Sequence, residues 1–374
     1  MILDYLIPFL ILLSVVVFVH EYGHYYFAKK YGVGITTFSI GFGKELFGWT
    51  DKSGTRWKFC LIPLGGYVKF FGDHNIFSDY NREELKKKYD KADHKKLFGL
   101  KKLYQRNLIL LGGPLANFIL AFIVFFFIFM FVGKDFTTPS ILEVKKDSPA
   151  AISGLKKNDI IIEIDQKKII SIHDVSKFIN LSSTDFIEFT VLRNDVKYKT
   201  KVKPNLIKTK DGFGNMVDKK VIGIMIAPYN DKVRFQKLGP VKSIKFAFKE
   251  VYFVSSESLK YLWGLIQKIW GKGYGDINQL GGPIKIAQIS GKVAEYGILP
   301  FIMTMAYISI SLGLINLFPI PLLDGGHITI NTIEAIRGKE YDKKTIEFSY
   351  RIGLAIIASL IFFTTINDIK GLLN

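Results

Sequence analysis

The chain has 374 residues, 49% of them hydrophobic and 14% aromatic, including 32 Phe, with a formal net charge of +18. Together with a positive mean hydropathy, this excludes an ordinary soluble enzyme or a disordered chain and points to a membrane protein. No zinc knuckle, RNP-type segment or basic helix with base-stacking aromatics accompanies the positive charge, so no nucleic-acid partner is expected; solvent and the anionic lipid bilayer are the expected neighbours of the lysines.

Residues 6–19 form the first apolar run, of near-spanning length with its flanks. It lacks the basic start and small-residue cleavage site of a secretory signal and carries Asp4, so it is expected to be retained. The run ends on His20-Glu21-Tyr22-Gly23-His24. Two histidines four residues apart share one helix face, so both imidazoles can grip one Zn²⁺, and Glu21 between them is placed to move a proton. The plainer alternative is a pair of aromatic-like residues on a buried helix. It leaves an intramembrane glutamate with neither metal nor charged partner, which is costly.

Residues 29–106 are dense in Lys and Arg, as are residues 337–351. By the positive-inside rule both segments are cytoplasmic. Within the first, residues 37–43 and 57–70 read as glycine-punctuated strands of a hairpin. Cys60 lies in that segment, where a lone thiol stays reduced and no disulfide forms.

A second apolar run covers residues 108–132, followed by a long segment, 133–300, whose lysines do not fix its side because long loops translocate regardless of charge. Strands are expected over 141–144, 160–164 and 186–192, with a short helix over 174–181 that begins at an acidic cap. Residues 241–270 mix apolar side chains with Lys242, Lys245, Lys249 and Lys260, which suits a helix lying on the membrane surface. A fifth membrane helix competes there, but it would carry Asp324 to the wrong side.

The third and fourth runs are residues 301–320 and 352–366. With an outside start, the first and third helices both run inward, so His20, His24 and Asp324 reach a similar depth near the cytoplasmic face. Asp324-Gly325-Gly326 after prolines is also an ordinary turn. A two-histidine site that needs a third ligand favours the metal role, since catalytic zinc takes three protein ligands and water.

These motifs together resemble the site-2 protease family of intramembrane zinc metalloproteases, most nearly the bacterial branch around the regulator of sigma-E protease. Gly41-Phe42-Gly43, Pro63-Leu64-Gly65-Gly66-Tyr67-Val68-Lys69, Gly112-Gly113-Pro114-Leu115-Ala116-Asn117-Phe118 and Gly281-Gly282-Pro283-Ile284 look like the family's signatures, in family order. The resemblance implies a polytopic α-helical membrane protein with four transmembrane helices, a membrane-associated β-hairpin and one extracytoplasmic PDZ-like α+β domain, where the sigma-E branch usually carries two.

It implies one Zn²⁺ per chain on His20, His24 and Asp324, with Glu21 as general base. Asn316 would bind substrate backbone, and Asn117 reads as an interhelical hydrogen-bonding residue. Ile40, Gly41, Phe42 and Gly43 would present a strand edge to the unwound substrate, the alternative being a soluble cytoplasmic hairpin. Ile141, Leu142, Glu143 and Val144 would form the peptide groove of the PDZ-like domain, the alternative being a β domain without ligand.

The expected division is 1–28, first helix with the zinc motif; 29–106, cytoplasmic segment with the hairpin; 107–133, second helix; 134–236, PDZ-like domain; 237–298, amphipathic surface helix and linker; 299–348, third helix, third ligand and loop; 349–374, fourth helix. The expected partners are membrane-protein or signal-peptide substrates in a bacterial inner membrane. A metal transporter and a catalytically idle peptide-binding scaffold are the competing classes.

Overall fold

The structure is a computed structural model that describes every residue except 1, 73–81, 183, 211–215, 270, 272–279 and 374. In chain order the first elements are α1 (Ile2–Lys30), β1 (Ile35–Thr50), β2 (Arg56–Phe70), α2 (Arg82–Lys88) and α3 (Leu103–Phe127), whose last turn, Ile128–Val132, is π-helical. Then come β3 (Lys134–Asp135), β4 (Pro139–Val144), α4 (Pro149–Ile152), β5 (Ile160–Ile164), β6 (Lys167–Lys168), α5 (Ile172–Leu181), β7 (Ile187–Arg193) and β8 (Val196–Val202). They are followed by β9 (Asn205–Lys210), β10 (Met216–Val221), β11 (Ile224–Pro228), β12 (Phe235–Gln236) and α6 (Pro240–Ile269). The chain closes with α7 (Pro283–Glu295), α8 (Ile298–Asn316), α9 (Asp324–Arg337) and α10 (Lys343–Leu373).

Four stretches are long and apolar enough to cross a membrane: Leu3–Lys30, Leu103–Val132, Ile298–Asn316 and Lys344–Gly371. They coincide with the four runs expected from sequence, and the short fourth run gains its length from flanking helical residues. Helix α6 is not among them.

One compact unit comprises residues 1–124 and 281–368. Helices α1 and α3 cross closely because Gly23 faces Gly112: a Cβ on Gly23 would lie 2.1 Å from the Gly112 carbonyl oxygen, and one on Gly112 2.5 Å from that of Gly23. Small residues at such a crossing let backbones touch where lipid provides no hydrophobic drive for helix association. The start of α3 is tied to α9 by Arg106 Nη1–H donating to Asn331 Oδ1 at 2.8 Å, a buried contact. Asp368 on α10 accepts the backbone N–H groups of Gly282 (2.9 Å) and Lys285 (3.0 Å), satisfying donors at the start of α7.

In the same unit β1 and β2 form a curled hairpin. Thr37, Phe38, Ser39 and Ile40 each have partners in both halves of β2: Lys69 and Arg56, Val68 and Trp57, Tyr67 and Lys58, Gly66 and Phe59. Aromatic packing fixes the hairpin to α1, with Tyr25 against Phe38 and Trp57 at ring separations of 5.8 and 5.1 Å. Asp51 holds the turn by accepting from Ser53 N–H (2.8 Å), Thr55 N–H (3.0 Å) and Trp57 Nε1–H (2.9 Å). Burial pushes its carboxyl up, but these donors outweigh it and hold the group well below the usual carboxylate range.

The second unit comprises residues 125–280 and 369–374. Its main sheet runs β11-β4-β5-β7-β8, with β6 beside β5. Ile141, Ile161, Ile164, Ile187, Phe189 and Val191 fill its core with α5 residues Val175 and Phe178. The α+β content matches the expectation for this segment. Two details differ.

Strand β4 lies between β11 and β5, with Val144, Glu143 and Ile141 paired to β11 and Ser140 to β5, so one side of the expected groove strand Ile141, Leu142, Glu143 and Val144 is taken by β11. Sequence could not reveal this, because β11 lies some eighty residues further along and covers that edge. The edges of the sheet are β11 and β8.

Helix α6, expected only as a membrane-surface helix, packs one face on this domain. Phe253 packs against Phe178 in a tilted arrangement at 5.7 Å, between the ion pairs Lys177–Glu250 (3.2 Å) and Lys167–Glu257 (2.9 Å). Its other face leaves Val241, Ile244, Phe248, Tyr252, Leu259 and Trp263 exposed.

The buried Asp159 takes both oxygens to Arg193, Nε–H to Oδ1 and Nη2–H to Oδ2, each at 2.7 Å. Removing one partner of such a pair leaves an uncompensated charge. Arg193→Met is expected to destabilise this unit by about 3 kcal/mol, read as faster amide exchange in β5 and β7 of the full-length protein in detergent. Unchanged exchange would show the pair to be dispensable.

Candidate active site

The zinc motif falls in the continuous helix α1, so His20 and His24 project from one face a turn apart. Asp324 is the first residue of α9. It arrives there because α8 stops at Asn316 and the Phe318-Pro319-Ile320-Pro321 stretch cannot continue a helix. The loop closes through Leu322 at φ +84°, a left-handed conformation uncommon for a branched side chain and found where the surroundings enforce it. Gly353 on α10 admits this loop: a Cβ there would lie 2.0 Å from the Pro321 carbonyl oxygen.

The three donor atoms form a tight triangle. His20 Nε2 is 3.2 Å from His24 Nε2 and 3.2 Å from Asp324 Oδ2, and His24 Nε2 is 3.4 Å from the same oxygen. Donors about 2.0–2.1 Å from a tetrahedral Zn²⁺ stand about 3.3–3.4 Å from one another, so the triangle fits three corners of that tetrahedron. Asp324 Oδ2 is buried and has no hydrogen-bond partner among the described residues, which is the state of an oxygen awaiting a cation. Among the described residues His20, His24 and Asp324 are the only such cluster of His, Cys, Asp and Glu.

His24 Nδ1 lies 2.8 Å from the Ile109 carbonyl oxygen. Donation to that oxygen leaves the Nε2 lone pair free for a metal. Gly113 keeps the space clear, since a Cβ there would be 2.4 Å from His24 Nε2 and 2.7 Å from His20 Nε2. Any side chain at this position would collide with both imidazoles.

Asn316 Nδ2 stands 3.5 Å from His20 Nε2, so the end of α8 brings its amide to the cluster. Glu21 is half-buried and lies against the hairpin, where a Cβ on Gly66 would come within 3.0 Å of Glu21 Cγ. The structure thus gathers His20, His24, Asp324, Glu21 and Asn316 at one place.

The hairpin residues behave differently. Ile40 is buried and flanked on both sides by β2, so it offers no edge to a substrate. Gly41 and Gly43 take positive φ, and a Cβ on Gly41 would meet the Ile62 carbonyl oxygen at 2.7 Å. Phe42 pairs with Ile62 and is exposed. Residues 66–69 pair with β1, and Gly66 is the part of the hairpin that touches Glu21. Residues 37–40 of the segment expected to present a strand edge are thus enclosed by β2. The curl of β1 between the two halves of β2 was hidden because each half looks like an ordinary hairpin partner.

Asn117, expected to make an interhelical hydrogen bond, reaches from α3 to the His20 ring of α1. Sequence reasoning missed two supporting residues: Gly113, which lies against both imidazoles, and His327, whose Nδ1 stands 3.2 Å from the Tyr350 hydroxyl, linking α9 to α10. The Gly112-Gly113 doublet inside an apolar helix was the available signal, since glycine there costs helix stability unless close packing needs it.

Residues 8–360 match the family model described as Peptidase family M50. The chain is 38% identical over 370 residues to "Putative zinc metalloprotease Atu1380" of Agrobacterium fabrum, covering 99% of this chain and 97% of that protein. It is 36% identical to a similarly named protein, mll0638, of Mesorhizobium japonicum, over 99% of this chain and all of that one. It is also 34% identical to "Metalloprotease MmpA" of Caulobacter vibrioides, over 98% of this chain and 95% of that protein. A family match over most of the chain, and relatives aligned from end to end, place this chain in peptidase family M50.

Proposed function

We propose that this M50 peptidase is an intramembrane zinc endopeptidase that hydrolyses peptide bonds within or beside the membrane segments of other proteins. The observation that carries the proposal is the 3.2–3.4 Å triangle of His20, His24 and Asp324 in a bundle with four membrane-spanning candidates. The zinc metalloprotease names of its end-to-end relatives support the same cofactor and reaction.

His20, His24 and Asp324 would hold the ion. Bound there, zinc would lower the pKa of a water toward neutrality and polarise the scissile carbonyl. Glu21, between the two histidines and against Gly66, takes the attacking water's proton and returns it to the leaving amine. Asn316, beside His20, orients the substrate backbone. The last part of β2, beside Glu21, pairs with an unwound substrate strand, keeping its peptide groups hydrogen-bonded where water is scarce. Exposed Leu46, Phe47, Trp49, Leu61 and Ile62 suit a hairpin in contact with lipid.

The six-stranded domain is PDZ-like in its strand-and-helix content, and β11, the edge strand beside α5, is the place where a peptide could add. The basic character of residues 29–106 and 337–351 supports a cytoplasmic position for them. The N-terminus and residues 134–236 are then outside. Membrane proteins cut in signalling, such as anti-sigma factors, and remnant signal peptides are the substrate classes this arrangement suits. We read the chain as nearest the sigma-E protease branch, with one PDZ-like domain in place of two.

Glu21→Gln is expected to keep zinc and lose cleavage by more than a hundredfold, whereas Asp324→Ala is expected to lose zinc at trace free metal. Zinc content and turnover of a membrane peptide, measured together in detergent, separate the two roles. Turnover by Glu21→Gln close to wild type, or full occupancy in Asp324→Ala, would remove that residue from the site.

Topology has its own test. In a Cys60→Ser background, an impermeant thiol reagent applied to intact cells is expected to label Lys197→Cys and spare Ala92→Cys. Both positions are exposed on the protein surface. The reverse pattern would invert the arrangement.

A further inference from the structure

Asn117 is fully buried in α3, and no step above uses it. Its side-chain Nδ2 stands 3.2 Å from Nδ1 of His20, and its Oδ1 has no hydrogen-bond partner among the described residues. Its backbone carbonyl accepts the Ser309 hydroxyl of α8 at 2.9 Å, so this turn of α3 is held from the far side.

An imidazole that gives its Nε2 lone pair to a cation while neutral must carry its proton on Nδ1. That N–H then needs an acceptor in an apolar bundle, where an unmet donor is costly. His24 has one in the Ile109 carbonyl. For His20 the group in reach is the Asn117 amide, and the end facing the ring is a donor. The amide's oxygen and NH₂ are close to equal in size and exchange places by a half-turn about the terminal torsion. After that turn the partnerless Oδ1 meets the Nδ1–H that requires it.

We propose that Asn117 is a positioning residue for the zinc. Its Oδ1 accepts the Nδ1–H of His20, fixing tautomer and ring orientation so that Nε2 faces the metal. Each histidine then has an acceptor behind it, a backbone carbonyl for His24 and a side-chain amide for His20. This rests on His20 being a zinc ligand, and the test separates the two claims.

The experiment measures zinc affinity of the full-length protein in detergent by competition with a chelator, using zinc alone and no substrate. Asn117→Leu keeps the branching at Cγ and removes the acceptor; affinity is expected to fall by about 10–100-fold. Asn117→Asp supplies an acceptor at the same place and is expected to bind within about threefold of wild type, since a carboxylate behind a ligating histidine raises its basicity. A residue that only packs or links helices would give the opposite ranking, because a buried carboxylate there would be the more damaging change.

Wild-type affinity in Asn117→Leu, or affinity in Asn117→Asp as weak as in Asn117→Leu, overturns the proposal. If Asn117→Leu cannot be purified folded, Asn117→Ala replaces it with the same criteria. His20→Ala is measured alongside. If it holds zinc as wild type does, the ligand assignment has failed; if it loses zinc while Asn117→Leu does not, only the role of Asn117 has.

Discussion

Two imidazole nitrogens and a carboxylate oxygen sit within 3.4 Å of one another at a mostly buried point, and the other features of the first unit serve that crowding. Away from water, a carboxylate is tolerated only with a compensating charge. A divalent cation held by these three groups would supply it and use all three lone pairs. Gly23 and Gly112 let α1 and α3 meet, Gly113 leaves the centre open, and the tie from Arg106 to Asn331 holds α9 where Asp324 can reach. Each of these features is a loss of side-chain packing or a buried polar contact that would be unfavourable alone.

The hairpin follows from the same need at one remove. On the proposal that the hairpin sits at membrane depth, its N–H and C=O groups must be satisfied by protein or water. Folding β1 between the two halves of β2 satisfies both sides of residues 37–40. The last part of β2 runs past Glu21, the proposed base. On the proposed mechanism an unwound substrate pairs there.

What sequence revealed and what it concealed divide by range. The zinc motif is local to one helix, and its two histidines could be placed on one face from spacing alone. Asp324, three hundred residues away, was reachable because charge in the loops and the need for a third ligand both pointed to the same depth. The four spans were legible from apolar runs. Strand edges were not, because whether a strand has a free edge depends on what pairs with it later in the chain. That hid the inner position of β4, covered by β11, and of residues 37–40, enclosed by β2. The docking of α6 through Phe253 was hidden for a related reason, since apolar residues on two faces of one helix blur the pattern of either.

X-ray absorption at the zinc edge of the purified full-length protein tests the central claim most directly. The account predicts one zinc per chain with a four-coordinate first shell of nitrogen and oxygen at about 2.0–2.1 Å, containing two imidazoles and no sulfur. Replacement of Asp324 by Ala would remove that signal at limiting metal. A shell containing sulfur, one without imidazole scattering, or the same spectrum after loss of Asp324 would contradict a site built from His20, His24 and Asp324.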